Sequence, residues 1–323
     1  MKSNQKKLES LKEKWTSLLS SNKKIRIRDA ADKMHVSEAE LLSTEINEGV
    51  SFLLIPELEI FIKDIMMIDR IMLLIRSDNI VHEKTIETNN LKLKGNQIID
   101  MENNKSLLLE FDKKLFKYAF FQKKMHANRE LRSFQFFNDK GHANLKIYLK
   151  GKDLYAFDSI ALKYESKYNY EMQSNLNIES SDYVDFSLNI YLPFNIDRAA
   201  PIINDIDSKS LRLILERASK MKTPIQIHAL GLGAIQYHMG TVKNIVDYGP
   251  WINIIDQNFN LHVLEEGLHT ATLNQYKSNE GQQYLVNFFD VKNNHVLGIS
   301  AIKGYEQDFL KIINNIKEQT NEF

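Results

Sequence analysis

"LRSFQFFNDKGHANLKIYL" (Leu131–Leu149) alternates apolar and polar residues, turns through Asn138-Asp139-Lys140-Gly141, and then alternates again. Successive strand residues face opposite sides of a sheet, so this pattern predicts a β-hairpin with one face buried. "YLVNFFDVKNNHVLGISAI" (Tyr284–Ile302) has the same form, and its Phe288-Phe289 pair stands 152 positions after Phe136-Phe137. Upstream, "MLLIRSDNIVHEKT" (Met72–Thr85) parallels "IQIHALGLGAIQYHMG" (Ile225–Gly240), with Val81 and Ile235 154 positions apart, and "SLLLEF" (Ser106–Phe111) parallels "NLHVLE" (Asn260–Glu265). A common offset over three segments predicts an α+β fold built by tandem duplication of a large antiparallel β-sheet unit flanked by helices.

The remaining pattern sorts around these blocks. Apolar residues at helical spacing predict helices over Lys6–Ser20, Ile27–Met34, Ser37–Leu42 and Glu57–Ile68 in the first half, and over Asn195–Ile203 and Ser208–Lys220 in the second. Asp207 is the expected N-cap of the last of these, which ends before Pro224. The stretch Lys163–Asp185 is rich in Tyr, Ser, Asn and Glu and has weak periodicity, so it marks the junction: an N-terminal repeat over 1–165 and a C-terminal repeat over 166–323.

Composition narrows the chemistry. The 323 residues, 43% apolar and 10% aromatic, are enough to bury a large core in two domains. Lys plus Arg and Asp plus Glu are equal at 42, so no overall field draws the chain to nucleic acid or an anionic membrane. The absence of cysteine excludes disulfides, thiolate nucleophiles, iron–sulfur clusters and Cys-type zinc sites, leaving His, Asp, Glu and Tyr as metal ligands. "MKSNQKKLESLKEKWTSLL" at the N-terminus lacks the apolar region of a signal peptide, so a cytoplasmic location is expected. The most apolar stretch, Val50–Ile75, is broken by Glu57, Glu59, Lys63, Asp64, Asp69 and Arg70, so membrane insertion is not expected.

Several motifs invite sharper readings. "RIRDAADKMHVSEAELL" (Arg26–Leu42) has the form of a helix-turn-helix, with Ser37 and Glu40 placed as a capping box. Glu38 and Glu40 would sit on the base-reading end, where phosphate repels them, so DNA binding by the N-terminal helices is a remote alternative to a packed helical hairpin. Gly231-Leu232-Gly233 lacks the third glycine of a dinucleotide loop and is followed by a strand pattern, so it reads as a hairpin turn. His228 and His238 then lie on opposite arms, on one face with a three-residue turn and on opposite faces with two or four. No HExxH, nucleophile elbow or P-loop occurs. "YGPWINIIDQNFNLHV" (Tyr248–Val263) reads as a β-ribbon turning at Gly249-Pro250 and at Asp256–Asn258, with Trp251 in the core.

These segments, in order, resemble the cytoplasmic haem-binding and haem-degrading proteins of bacterial haem uptake, the hemin-degrading factors. "RDAADKMHVSEAELL" resembles the family's N-terminal helices, "RSDNIVHEKT" its R-N-E-x-x-V-H-E-K-T segment, and "LRSFQFFNDKGHANLKIYL" its L-R-S-x-Q-F-F-D-x-x-G hairpin. "GPWINIIDQNFNLHV" resembles G-P-W-F-N-V-L-D-P-x-F-N-L-H-L. The family is likewise a duplication of large antiparallel sheets flanked by helices. The resemblance implies iron protoporphyrin IX held in a C-terminal cleft by a histidine ligand, a distal arginine and basic residues at the propionates. It also implies haem received from an inner-membrane ABC transporter and either passed on or opened with oxygen and an electron donor.

The chain departs from the family at the ligand. "DFSLNIYLPFNIDR" (Asp185–Arg198) aligns with H-D-F-F-x-L-L-x-x-F-N-V-x-R, so Arg198 matches the distal arginine but Asp185 stands in the ligand histidine's place. Carboxylate is a poor substitute for imidazole on haem iron. The family's R-E reads Leu264-Glu265 and its R-K-P reads Ile302-Lys303-Gly304, which leaves Lys277 and Lys303 as the nearest propionate partners. His228 aligns where the family's I-M-V-F-V strand has a phenylalanine on the macrocycle, making it the candidate replacement ligand. The resemblance leaves open a second outcome, a diverged, non-catalytic carrier of haem or another tetrapyrrole.

Overall fold

The computed structural model describes residues 2–102, 106–166, 202–278 and 281–320. Its strands are β1 (Val50–Leu53), β2 (Arg70–Arg76), β3 (Ile80–Glu87), β4 (Leu91–Lys94), β5 (Gln97–Asp100), β6 (Ser106–Phe111), β7 (Tyr118–His126), β8 (Arg129–Phe137) and β9 (Ala143–Leu149). The series continues with β10 (Ile202–Ile206), β11 (Ile225–Leu230), β12 (Ala234–Gly240), β13 (Ile245–Tyr248), β14 (Trp251–Asp256), β15 (Phe259–Leu264), β16 (Thr270–Ser278), β17 (Gly281–Phe289) and β18 (His295–Ala301). The helices are α1 (Lys2–Ser21), α2 (Ile27–Met34), α3 (Glu38–Ser43), α4 (Leu58–Ile65), α5 (Leu154–Tyr164), α6 (Ser210–Met221) and α7 (Glu306–Thr320). The fold is α+β and duplicated, as the repeated hairpins predict.

The strands form two nine-stranded sheets, ordered β1-β7-β8-β9-β2-β3-β15-β14-β13 and β10-β16-β17-β18-β11-β12-β6-β5-β4. The two predicted hairpins are β8–β9 and β17–β18, and each has its register break at the diphenylalanine, between Phe136 and Phe137 and between Phe288 and Phe289. A bulge adds one residue to a strand and re-aims those after it, so the same bulge in both halves is a structural mark of the duplication. The halves of the sequence also exchange arms. β6 of the first pairs with β12 of the second, and β15 of the second pairs with β3 of the first.

By compactness the chain divides into unit 1, residues 1–73, 86–89 and 112–184, and unit 2, residues 74–85, 90–111 and 185–323. In unit 1, α2 ends at His35 in the left-handed conformation and α3 starts with the full capping box, the Glu40 carboxylate accepting from the Ser37 N–H and the Ser37 hydroxyl accepting from the Glu40 N–H. Glu38 is only 4% exposed and bonds Lys146 of β9, itself 8% exposed. The carboxylate that argues against DNA on charge is thus committed to a buried ion pair, and α3 lies on the sheet with Ala39 N–H donating to the Gly141 carbonyl.

In unit 2, α6 buries Leu211, Ile214, Leu215 and Ala218 along one side, the spacing of an amphipathic helix. Its start differs from expectation. Asp207 caps a preceding turn, its carboxylate accepting from Lys209 N–H and its carbonyl from Ser210 N–H, and the helix opens at Ser210. The helix expected over Asn195–Ile203 is not continued, since Ile202 and Ile203 begin β10, where β-branched side chains fit a strand; residues 195–201 lie outside the described set. Trp251 is half-buried on β14 rather than in the core. Among the described residues no helix is long and apolar enough to cross a membrane.

Candidate functional site

β11, "IQIHAL", is buried at every position, the pattern of a central strand covered on both faces. Its hairpin with β12 closes with Leu230 opposite Ile235, so four residues lie in the turn. That parity separates the two histidines. His228 stands opposite Tyr237, whereas His238 stands opposite Ile227 and faces the other way.

On the His228 face a cross-strand row runs Tyr237 (β12), His228 (β11), Gly298 (β18), Asn287 (β17) and Thr272 (β16). The His228 ring lies over Gly298, where any Cβ would overlap it; this glycine is required by space rather than by backbone conformation. His228 is 1% exposed, and among the described residues neither ring nitrogen has a hydrogen-bond partner. Burial, helped by the neighbouring His295, holds its pKa well below the ordinary imidazole value, so it is neutral with a free lone pair. His295 meets it edge-on, ring centroids 5.4 Å apart at 83°, and donates its Nε2–H to the Leu297 carbonyl at 3.0 Å. Burial pushes His295 down to about 4, so it too is neutral. Asn287 donates to Asn274 Oδ1 at 3.0 Å, while its own Oδ1 is buried without a partner.

The opposite face carries a second cluster that sequence reasoning missed. His238 stacks on Phe259, centroids 3.7 Å apart and 4° from parallel, and its Nδ1 accepts from Lys84 Nζ at 2.9 Å. His82 tilts against the same phenylalanine at 5.0 Å, and burial followed by the Lys84 charge takes it down to about 3. Burial likewise lowers Lys84 to about 8, against the pull of Asp100. Lys84 and His238 are 154 positions apart, the same offset that relates Val81 to Ile235. The signal was therefore present: residues matched by the duplication meet where the halves exchange arms.

Of the residues singled out in the sequence, His228 and His238 are not brought together. Asp185 and Arg198 lie outside the described residues. Lys277 sits on β16 opposite Gln282. Lys303 is exposed in the turn before α7, where its charge is among the influences that keep the Glu306 carboxyl low, against a larger opposing effect of burial. Among the described residues no three His, Cys, Asp or Glu side chains cluster as a metal site. The group the resemblance implies, haem, needs a neutral axial base, and His228 supplies an orphaned buried imidazole of that kind.

Comparison with known proteins gives three findings. A family model described as "Haemin-degrading HemS.ChuX domain" matches residues 35–164 and 198–308. Over 76 residues the chain is 25% identical to Hemin transport protein HmuS of Yersinia pestis and to Hemin transport protein HemS of Yersinia enterocolitica, covering 24% of this chain and only 22% of each relative. Among solved structures, the heme degrading enzyme ChuS of Escherichia coli O157:H7 superposes with a TM-score of 0.80 at 19% identity, over 94% of this chain and 98% of that one. Holo-PhuS, a heme-binding protein from Pseudomonas aeruginosa, gives 0.76 at 18%, over 94% and 97%. At such identities the structural likeness establishes the fold.

Proposed function

The chain belongs to the haemin-degrading HemS/ChuX family, and on that premise we propose that it is a haem-handling protein of iron acquisition in which His228 is the axial ligand of haem iron. The observation that carries this reading is the state of His228: buried, neutral, and with both ring nitrogens unpartnered among the described residues. An unpaired buried polar group costs about 1–3 kcal/mol, a cost that an iron–nitrogen bond offsets. Asp185, in the place of the family ligand, does not supply such a base. By the family resemblance alone, Arg198 would be the distal group and Lys277 and Lys303 the partners of the propionates. Bound haem supplies redox chemistry with oxygen when an electron donor is present; the protein's part is to hold the iron, orient the ring and exclude water.

A carrier role stands beside degradation because the ligand position has changed, and the two separate in one experiment. The purified chain is titrated with haem, and ascorbate is then added under air. Loss of the Soret band with release of iron identifies degradation, whereas a stable complex identifies a carrier that passes haem on from an inner-membrane importer. His228→Ala is expected to abolish the ligated spectrum while Asp185→Ala leaves it. An unchanged Soret band in His228→Ala would overturn the assignment of the ligand.

A further inference from the structure

The row over Gly298 holds more acceptors than haem ligation by one imidazole would use. Both ring nitrogens of His228 and the Oδ1 of Asn287 are buried without a partner among the described residues. His295, whose Nε2–H is given to Leu297, keeps its other ring nitrogen as a lone pair beside them. Buried groups of this kind are rare in folded proteins, and each points to a missing water or ion. A single water satisfies the two buried acceptors, whereas a cation engages them and the His295 lone pair together.

We infer that His228, His295 and Asn287 form a binding site for a free divalent transition-metal cation of the ferrous or zinc type, with two imidazole nitrogens and one amide oxygen as protein donors. Two imidazoles on one tetrahedral ion, with metal–nitrogen bonds of about 2.1 Å, place their ring centroids roughly 5 Å apart. The observed separation is 5.4 Å, with the rings nearly perpendicular. The tautomer of His295 is set by a backbone carbonyl, which is how ligating histidines are ordinarily oriented. Asn287 stands directly opposite Gly298, the residue over which the His228 ring lies, so the amide and the ring share one row. Imidazole and amide donors suit a borderline cation better than calcium or magnesium. The fourth position falls to water. This site shares His228 with the haem reading but needs no porphyrin.

The test is a Co2+ titration of the haem-free full chain followed by its visible d–d absorption, with Zn2+ as competitor. One saturable equivalent is expected, displaced by Zn2+, abolished in His228→Phe and His295→Phe, and weakened at least about tenfold in Asn287→Leu. Absence of saturable binding by the unaltered chain would overturn the inference, as would binding unchanged in His295→Phe. Circular dichroism checks that each variant is folded, and if His228→Phe is not, His295→Phe decides. The haem reading is scored separately on His295→Phe, which should keep its haem spectrum while losing Co2+. An unaltered chain that binds haem but no Co2+ overturns this site and leaves the haem assignment standing; one that binds Co2+ but no haem does the reverse.

Discussion

Phe120 on β7, Gln135 on β8 and Lys146 on β9 make a cross-strand row in unit 1, and Thr272, Asn287 and Gly298, each 152 positions later, make the matching row in unit 2. Both rows keep an amide–amide bond, Gln135 to Gln122 at 2.8 Å and Asn287 to Asn274 at 3.0 Å. They differ at the last position. In unit 1 a lysine stands there and its ammonium is neutralised by Glu38; in unit 2 a glycine clears the space and an imidazole occupies it. One copy has closed its row on itself, and the other presents unpartnered nitrogen and oxygen, which is where a ligand belongs.

The sharpest way to expose this asymmetry is acid. His82, His228, His238 and His295 all lie in unit 2 and are all held below the ordinary value, chiefly by burial, His82 to about 3 and His295 to about 4. The unfolded chain takes up protons on these groups below pH 6.5 while the folded one does not, so stability falls with pH through this window, by roughly 1.4 kcal/mol per unit for each histidine. In unit 1 the groups shifted within the acid range are carboxylates. Burial works to raise Asp64 and Asp158, but hydrogen bonds from Lys163 and Tyr164, and from Arg132 and Lys123, outweigh it and lower them. Their contribution is present above 3.8 and is lost only below it. With Trp15 in unit 1 and Trp251 in unit 2, fluorescence of Trp251→Phe and Trp15→Phe reports each unit alone. Unit 2 should loosen between pH 6.5 and 4 while unit 1 persists; loss of both signals together below pH 4 would remove the contrast.

Next in size is the buried ion pair. Lys146→Met removes the ammonium that balances the buried Glu38 carboxylate, expected to cost about 3–5 kcal/mol in urea unfolding, whereas Glu38→Leu with Lys146→Met together should cost much less. Gly298→Ala, at the matching position, should cost about 1–3 kcal/mol because the His228 ring must move, and far less in a His228→Ala background. Additive costs in that cycle would show that the ring does not depend on Gly298.

The paired hairpins were legible because alternation and repeat offset are local properties of sequence, and the repeated diphenylalanine even marked the bulges. The exchange of arms was not, since nothing in β6 or β15 distinguishes pairing within a half from pairing across halves. The site was half legible. Alignment singled out His228, but His295 follows a turn as an ordinary strand opener and matches Ala143 in the first repeat, so only the fold shows its ring against His228. Helix α5 was missed because its hydrophobic residues spread around the helix rather than along one side.

The smallest expected difference concerns the two amide pairs, which look alike and should not behave alike. Gln135 is buried and donates to both Gln122 and Ser133, so Gln135→Leu removes a donor from two acceptors. Asn287→Leu removes one donor from Asn274, whose Oδ1 still accepts from the Thr272 hydroxyl at 2.9 Å, and it also deletes the orphaned Oδ1. A hydrogen bond contributes about 0.5–1.5 kcal/mol net, while an unsatisfied buried acceptor costs about 1–3, so the two changes at Asn287 oppose each other. Gln135→Leu should therefore lower the urea midpoint by the equivalent of about 1 kcal/mol more than Asn287→Leu in haem-free, metal-free protein. Adding Co2+ should reverse the order, because only Asn287→Leu then loses a metal donor. If the two variants are equally destabilised and neither responds to the cation, the two rows are equivalent and the orphaned oxygen of Asn287 has no ligand to meet.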